Sequence, residues 1–266
     1  MTTMALPHRT RDRWTPLDTG GVPFTRRQMV AFGRRFARAD RGFWYSLAIE
    51  VVWRFLVLSS RFRVRGAGHI PASGGVLVAS NHLSFADPTT VTAYCLAAGR
   101  VPRYLARADL WNVPVIGSVM RSGRHIPVYR GAATAVEAYR DAVAAVRAGE
   151  CVVIFPEATF SANPDGWPMK GKTGIARIAL ETGVPVVPLA NWGTHHLLPA
   201  TARVPRAIPR KTIDLLAGPP VDLSDLAGRP ITREILDEAT SRIMTAVTAL
   251  LGGLRGETPP PGVVGG

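Results

Sequence analysis

The chain has 266 residues, a formal net charge of +13 and two cysteines. This length suits one large domain with extensions, and two cysteines in apolar patterns argue against a disulfide framework and for a reducing compartment. The charge favours an anionic partner: nucleic acid, a phosphorylated substrate or a membrane surface. We expect no nucleic acid partner, because no helix-turn-helix, ribonucleoprotein or zinc-finger signature occurs.

The N-terminal quarter is basic and then strongly apolar. Residues 1–23 contain Arg, Pro and Gly without periodicity, so we expect a mobile basic tail and no secretory signal. Residues 24–60 are predicted to form membrane-associating helices. From Phe24 to Asp40 apolar residues alternate with arginines. This pattern is typical of a helix on an anionic membrane surface, and equally of a helix packed on its own domain.

The most apolar stretch runs from Gly42 to Ser60 and is close to the minimum length of a membrane span. Glu50 and Arg54 interrupt its centre at the i,i+4 spacing of a helical ion pair. Two charges in mid-bilayer are costly. We therefore predict a helix that lies in one leaflet or on the domain, with a single span as the alternative.

Residues 61–254 have the pattern of an α/β domain, followed by a Pro/Gly-rich tail over 255–266 that we expect to be disordered. Helix-spaced apolar residues alternate with short apolar runs, which predicts a mixed, largely parallel sheet flanked by helices. The predicted strands cover residues 62–65, 76–80, 104–107, 126–129, 151–155, 184–190 and 212–217. The clearest predicted helices cover residues 89–98, 136–149, 174–182 and 232–254.

His82 and Asp87 follow the apolar run that begins at Val76. Open α/β sheets place their chemistry where strands end. His82 has the chemistry of a general base and Asp87 that of the carboxylate that orients its ring. The alternative is purely structural, because Asp87 and Pro88 also resemble the N-cap and first residue of a helix.

Two further clusters carry polar groups. Glu157 follows the strand that begins at Cys151 and suits either a polar substrate group or the stabilisation of a turn. Lys170 and Lys172 precede a helix, as in a phosphate site or a solvated basic turn. No G-x-S-x-G or H-E-x-x-H motif occurs, and His195 and His196 are adjacent. We expect no cofactor, metal or serine nucleophile, and a structural or surface role for the two histidines.

Four blocks occur in a characteristic order along residues 60–220. They are Asn81-His82-x4-Asp87, then Gly123-x-x-Ile126-Pro127-Val128-x-Arg130, then Phe155-Pro156-Glu157-Ala158-Thr159, and last Val184-Pro185-Val186-Val187-Pro188. In this order the blocks resemble those of the glycerolipid acyltransferase family, whose type member is the bacterial 1-acylglycerol-3-phosphate acyltransferase. The resemblance implies an α/β sandwich with an N-terminal helical membrane-docking element.

The resemblance also implies a reaction and its residues. A fatty acyl group moves from acyl-CoA or acyl carrier protein to the sn-2 hydroxyl of lysophosphatidic acid, giving phosphatidic acid without an acyl-enzyme. His82 is then the general base and Asp87 its partner. The resemblance implies Arg107, Arg130 and Glu157 as substrate-binding residues, and we add Thr159, Lys170 and Lys172 to the predicted set. The implied location is the cytoplasmic face of the cell membrane, where the enzyme is peripheral or monotopic.

Two positions depart from the family, and at the first of them Ala158 replaces the usual glycine of the third block. This block usually continues with an arginine that binds phosphate, and here Phe160 occupies that position. Our hypothesis is that Lys170, Lys172 and Arg107 take over the role. The departure leaves open another lysophospholipid, glycerol-3-phosphate or a glycolipid as acceptor. A catalytically inactive, basic membrane-binding protein is a further alternative, which the presence of both His82 and Asp87 disfavours.

Overall fold

The computed structural model describes residues 20–129, 132–163 and 165–263. In these residues a seven-stranded sheet has the order β1-β7-β6-β2-β5-β3-β4. Only the β6–β7 pair is antiparallel among the pairs of this sheet, so the predicted mixed, largely parallel sheet is confirmed. The strands are β1 (Ser60–Arg65), β2 (Val76–Ser80), β3 (Pro102–Arg107), β4 (Ile126–Val128), β5 (Cys151–Ile154), β6 (Val186–Trp192) and β7 (Lys211–Ala217).

Helices cover both faces of the sheet. The α-helices are α1 (Arg26–Gly33), α2 (Phe43–Ser59), α3 (Asp87–Ala97), α4 (Ile116–Ser122), α5 (Ala132–Arg147), α6 (Gly174–Thr182), α7 (Thr194–Leu197) and α8 (Arg233–Arg255). The central strand β2 shows why both faces need cover, because all of its residues are buried. Val76 and Val78 belong to the core beneath α2 and α3, whereas Leu77 and Ala79 belong to the core beneath α5, α6 and α8. A strand alternates its side chains between the two faces.

Helix α1 packs on its own domain. It is shorter than the predicted Phe24–Asp40 helix and begins with a capping box formed by Thr25 and Gln28. Phe32 is buried and lies 5.6 Å from Trp53 of α2, measured between ring centroids. The apolar side of α1 therefore faces protein, and the arginines around it remain on the surface.

Helix α2 has two apolar stripes. Tyr45, Ile49, Trp53 and Leu56 are buried against the domain. A second stripe is exposed to solvent, and it comprises Phe43, Trp44, Leu47, Val51, Phe55 and Leu58. The predicted Glu50–Arg54 ion pair is wrong, since the described residues contain no such pair. Among the described helices, none combines the length and hydropathy needed to cross a bilayer.

The predicted tails are only partly described. Residues 1–19 of the expected N-terminal tail and residues 264–266 of the expected C-terminal tail lie outside the described residues. Val263 is partly buried and packs on a small cluster that contains Trp167 and Leu251. Both cysteines are buried and free, Cys95 in α3 and Cys151 in β5.

Candidate active site

The site lies where the parallel strands β2, β5 and β6 end. His82 follows β2, Glu157 follows β5, and Asn191 is near the end of β6. Because β2 pairs in parallel with both β5 and β6, these three carboxyl ends meet at one edge of the sheet. The loop after β2 then enters α3, whose N-cap is Ala86. The interpretation of Asp87 as N-cap is therefore wrong.

Asp87 is instead the first helical residue, and its carboxylate faces the loop that precedes the helix. The side chain is completely buried and accepts hydrogen bonds from five groups. The donors are Nδ1 of His82 at 2.9 Å, the backbone N–H groups of Leu83 at 2.5 Å and Ser84 at 2.8 Å, Nδ2 of Asn191 at 2.8 Å, and the hydroxyl of Thr194. This many donors offset the cost of burying a charge.

His82 is held by Asp87 on one side and by two aromatic rings. Its ring stacks on Phe155 with centroids 4.2 Å apart and contacts Phe160 at 4.4 Å. A carboxylate only accepts hydrogen bonds, so Nδ1 of His82 donates and the neutral ring keeps Nε2 as its proton acceptor. The side chain is 17% exposed. The imidazole is therefore fixed in orientation while it retains access to solvent.

Glu157 joins two loops of the site. Its carboxylate accepts hydrogen bonds from the backbone N–H of His82 at 3.1 Å and that of Met169 at 2.9 Å. Burial raises the pKa of Glu157, and these two hydrogen bonds oppose that rise. The structure gives Glu157 a positioning role, because it holds the main chain of the candidate base. Its contact with a substrate stays a prediction.

The Lys170–Lys172 segment is attached to the same loop. The backbone N–H of Lys172 donates to the carbonyl of Pro156 at 2.8 Å. Gly171 between the two lysines is buried, and a Cβ atom there would lie 2.9 Å from Met244. Only a glycine permits this approach to α8. Both lysine side chains are exposed beside the site.

Arg107 and Thr159 are also on the surface near their strand ends. Arg107 forms a two-pronged ion pair with Asp109, and its side chain is 69% exposed. An exposed pair of this kind contributes little free energy, so the guanidinium remains available to a stronger anion. Thr159 is exposed and follows Ala158, whose φ of +59° is the left-handed conformation that favours glycine. Arg130 lies outside the described residues.

Phe160 makes this side of the site apolar. Its ring lies 4.4 Å from that of His82 and 4.7 Å from that of Phe85. Phe85 is itself 59% exposed. An arginine at position 160 would have placed a charge beside the imidazole, whereas the phenylalanine lines the approach to His82 with hydrocarbon.

Three polar residues complete the site and were not assigned a role from the sequence. Asn81 and Asn191 exchange two hydrogen bonds of 2.9 Å that join β2 to β6. Asn191 and Thr194 then bind the Asp87 carboxylate. The available signal was an asparagine at the end of an otherwise apolar strand, followed by Gly193 and a threonine.

Comparisons with known proteins identify acyltransferase relatives of this chain. A family model described as Acyltransferase matches residues 61–192. The chloroplastic 1-acyl-sn-glycerol-3-phosphate acyltransferase BAT2 of Brassica napus is 29% identical over 170 residues, which cover 63% of this chain and 46% of the relative. The 1-acyl-sn-glycerol-3-phosphate acyltransferase of Borreliella burgdorferi is 30% identical over 134 residues, which cover 50% of this chain and 52% of the relative.

A solved structure extends the likeness to the fold. The 1-acyl-sn-glycerophosphate acyltransferase PlsC of Thermotoga maritima superposes with a TM-score of 0.58 and 24% identity, over 88% of this chain and 81% of that one. The chain belongs to the acyltransferase family, and the family match contains His82, Asp87 and Glu157. The chain spans about half the length of the curated relatives it matches.

Proposed function

We propose that the protein transfers a fatty acyl group from acyl-CoA or acyl carrier protein to the sn-2 hydroxyl of 1-acylglycerol-3-phosphate, giving phosphatidic acid in phospholipid synthesis. The observation that carries the proposal is the buried Asp87 carboxylate with its five donors, one of which is the imidazole of His82. The acyltransferase relatives named above support the choice of reaction.

The reaction needs one base and no covalent enzyme intermediate. Nε2 of His82 takes the proton of the acceptor hydroxyl while the oxygen attacks the thioester carbonyl carbon. The new C–O bond forms, the C–S bond breaks, and the departing thiolate receives the proton from the imidazolium. Asp87 stabilises the imidazolium through Nδ1 and fixes the ring orientation.

The acceptor's phosphate is assigned to the exposed cations beside the site. Lys170, Lys172 and Arg107 replace the arginine that the family resemblance places at position 160. Mutating both lysines to Ala should raise KM for lysophosphatidic acid about tenfold, as expected for the loss of one charge-assisted hydrogen bond. Lys211→Ala is not a suitable control, because Lys211 belongs to a separate group of basic residues with Arg206 and Arg210. Arg233→Ala, at the exposed start of α8, is the matched control and should leave KM unchanged.

An acceptor screen tests the reaction itself. One labelled acyl-CoA is offered with lysophosphatidic acid, glycerol-3-phosphate and other lysolipids. We expect the highest kcat/KM with lysophosphatidic acid and loss of transfer in His82→Ala. His69→Ala serves as the control, because His69 is exposed and its ring bonds the Ala217 carbonyl, away from the site. Full transfer by His82→Ala would refute the mechanism. A higher kcat/KM with another acceptor would show that lysophosphatidic acid is not the preferred substrate.

We also propose that the exposed stripe of α2 rests in a lipid surface. Phe43 is 72% exposed and Leu58 62% exposed at opposite ends of the helix. Val113, Pro114 and Val115 of the preceding loop and Ile116, the first residue of α4, are also exposed, and α2 packs on α4. An exposed apolar stripe on a helix that also carries the exposed Arg54 fits an anionic membrane, in which aromatic rings prefer the interface.

Vesicle sedimentation tests this surface. Leu47→Asp and Val51→Asp in one variant should abolish binding to anionic vesicles. Val136→Asp on α5 is the control, since Val136 and Leu47 are 46% and 45% exposed. Release of the wild type by high salt alone would assign the attachment to surface charge, whereas a need for detergent supports insertion of α2. Equal loss in the control would overturn the assignment to α2.

A further inference from the structure

A second cationic cluster lies next to α7, whose first residue, Thr194, bonds Asp87. It lines an open pocket of about 450 Å³, within the size range of small-molecule sites. Most of its residues follow residue 192, where the family match ends. The role proposed for Lys170 and Lys172 does not involve this cluster.

The sheet register builds one wall of the pocket. Arg63 of β1 is paired with Asp214 of β7, which is paired with Trp192 of β6. The three side chains therefore form one row across neighbouring strands. Arg63 donates to Asp214 at 2.8 Å, which neutralises the only carboxylate that lines the pocket among the described residues.

The remaining cations form no ion pair with a carboxylate of the described residues. Arg206, Arg210 and Lys211 also line the pocket, and with Arg63 and Asp214 they give its lining a net charge of +3 while the histidines are neutral. Burial lowers the pKa of His195 to about 4, so that ring is neutral at pH 7. Burial, together with repulsion from Arg26 and Arg61, lowers the pKa of Arg210. Such an excess of guanidinium and ammonium groups suits phosphate oxygens.

The pocket and the candidate base share one short element. Thr194, the first residue of α7, donates its hydroxyl to Asp87. The next two residues, His195 and His196, line the pocket. A ligand in the pocket is therefore separated from the catalytic carboxylate by a single helical turn. This proximity favours a substrate over a distant membrane lipid.

We propose that this pocket binds a phosphate ester carried by one of the two substrates. The inference rests on the acyl transfer proposed above and adds a second anion site to it. The nucleotide end of acyl-CoA and the headgroup of the acceptor share this chemistry. Kinetics with matched substrates distinguish the two sources.

The test neutralises Arg206 and Lys211 together, as Arg206→Gln with Lys211→Gln. These side chains are preferred to that of Arg210, which donates to the carbonyls of Val57 and Ser60 and so supports the fold. Arg203→Gln is the control, because Arg203 is exposed in the same loop but does not line the pocket. Circular dichroism and thermal unfolding check that both variants fold.

If the pocket holds the donor, the double variant should raise KM for acyl-CoA about tenfold or more and leave KM for the 3′-dephospho analogue nearly unchanged. If it holds the acceptor, KM should rise for lysophosphatidic acid and not for the matching monoacylglycerol, and the assignment of the acceptor's phosphate to Lys170, Lys172 and Arg107 is then wrong. Unchanged KM values for both phosphorylated substrates overturn the inference, and so does an equal rise with the 3′-dephospho donor or with the monoacylglycerol. Lost vesicle binding with both KM values intact also overturns it, in favour of a membrane headgroup.

A binding measurement separates this inference from the proposed reaction. Titration of the full chain with adenosine 3′,5′-bisphosphate or glycerol-3-phosphate should give heat in the wild type and in His82→Ala, and for at least one of these probes none in the double variant. If the wild type transfers no acyl group but this pattern holds, the reaction is wrong and the anion site stands. If the wild type transfers acyl groups and neither probe binds, the anion site alone is wrong.

Discussion

Asp87→Asn changes one atom at the centre of the site and should affect both stability and catalysis. Of the carboxylate oxygens, Oδ2 accepts three hydrogen bonds and Oδ1 accepts two. An amide NH₂ costs least at the Oδ1 position, where it faces the donors of Asn191 and Thr194. The threonine hydroxyl can rotate to accept, but the Asn191 amide cannot. One lost hydrogen bond, two NH₂ groups left facing each other and the loss of the charge that the remaining donors bind predict a decrease of roughly 3–5 kcal/mol in the free energy of unfolding.

The catalytic effect of Asp87→Asn has a separate cause. Without the carboxylate, the imidazolium of His82 is no longer stabilised, and the other ring tautomer becomes accessible. In the serine protease triad the equivalent change lowers kcat by about four orders of magnitude, and we expect a loss of that order here.

Urea unfolding followed by tryptophan fluorescence measures the stability of Asp87→Asn, and transfer of a labelled acyl group measures kcat. Asp225→Asn, which weakens an exposed pair with Arg242, is the control and should change neither quantity appreciably. A decrease in kcat of less than tenfold would refute the role of Asp87, and a stability loss below 1 kcal/mol would refute the hydrogen-bond estimate.

Three smaller changes test other parts of the structure. Burial lowers the pKa of His125 from 6.5 to about 4, so the unfolded chain takes up the proton first as pH falls. Between pH 6.5 and about pH 4 the wild type should therefore lose about 3 kcal/mol of unfolding free energy from this group. His125→Asn keeps an acceptor for the Tyr104 N–H and should lose correspondingly less in urea titrations; equal pH slopes would contradict this. Ala158→Gly relieves a φ of +59° and should raise the free energy of unfolding by about 1 kcal/mol; a decrease would show that the turn is unstrained. Phe160→Leu removes a ring contact with His82 worth about 1 kcal/mol and should lower kcat about fivefold, whereas the control Phe85→Leu should have a smaller effect; the reverse order would place the important ring at Phe85.

Local sequence carries the part of this site that depends on one segment. Val76–Ser80 is apolar at every position except its last, which is how a strand buried on both faces reads. His82 lies in the loop that follows this strand, and Asp87 begins the next helix. The sequence predicted both positions. The failure concerned the direction of the Asp87 side chain. A good cap residue before a proline predicts an N-cap. The Asp87 carboxylate instead accepts hydrogen bonds from His82 and from the amides of the loop that precedes the helix.

The sequence by itself determined the alternation of strands and helices, the position of the candidate base and the apolar character of α2. Only the tertiary structure decided what surrounds Asp87, because Asn191 and Thr194 reach it across more than 100 residues. The same holds for the pocket, whose row of Arg63, Asp214 and Trp192 requires the register of three strands. Periodicity reports the burial of a single element, whereas the pairing of strands distant in sequence depends on the packing of the whole core.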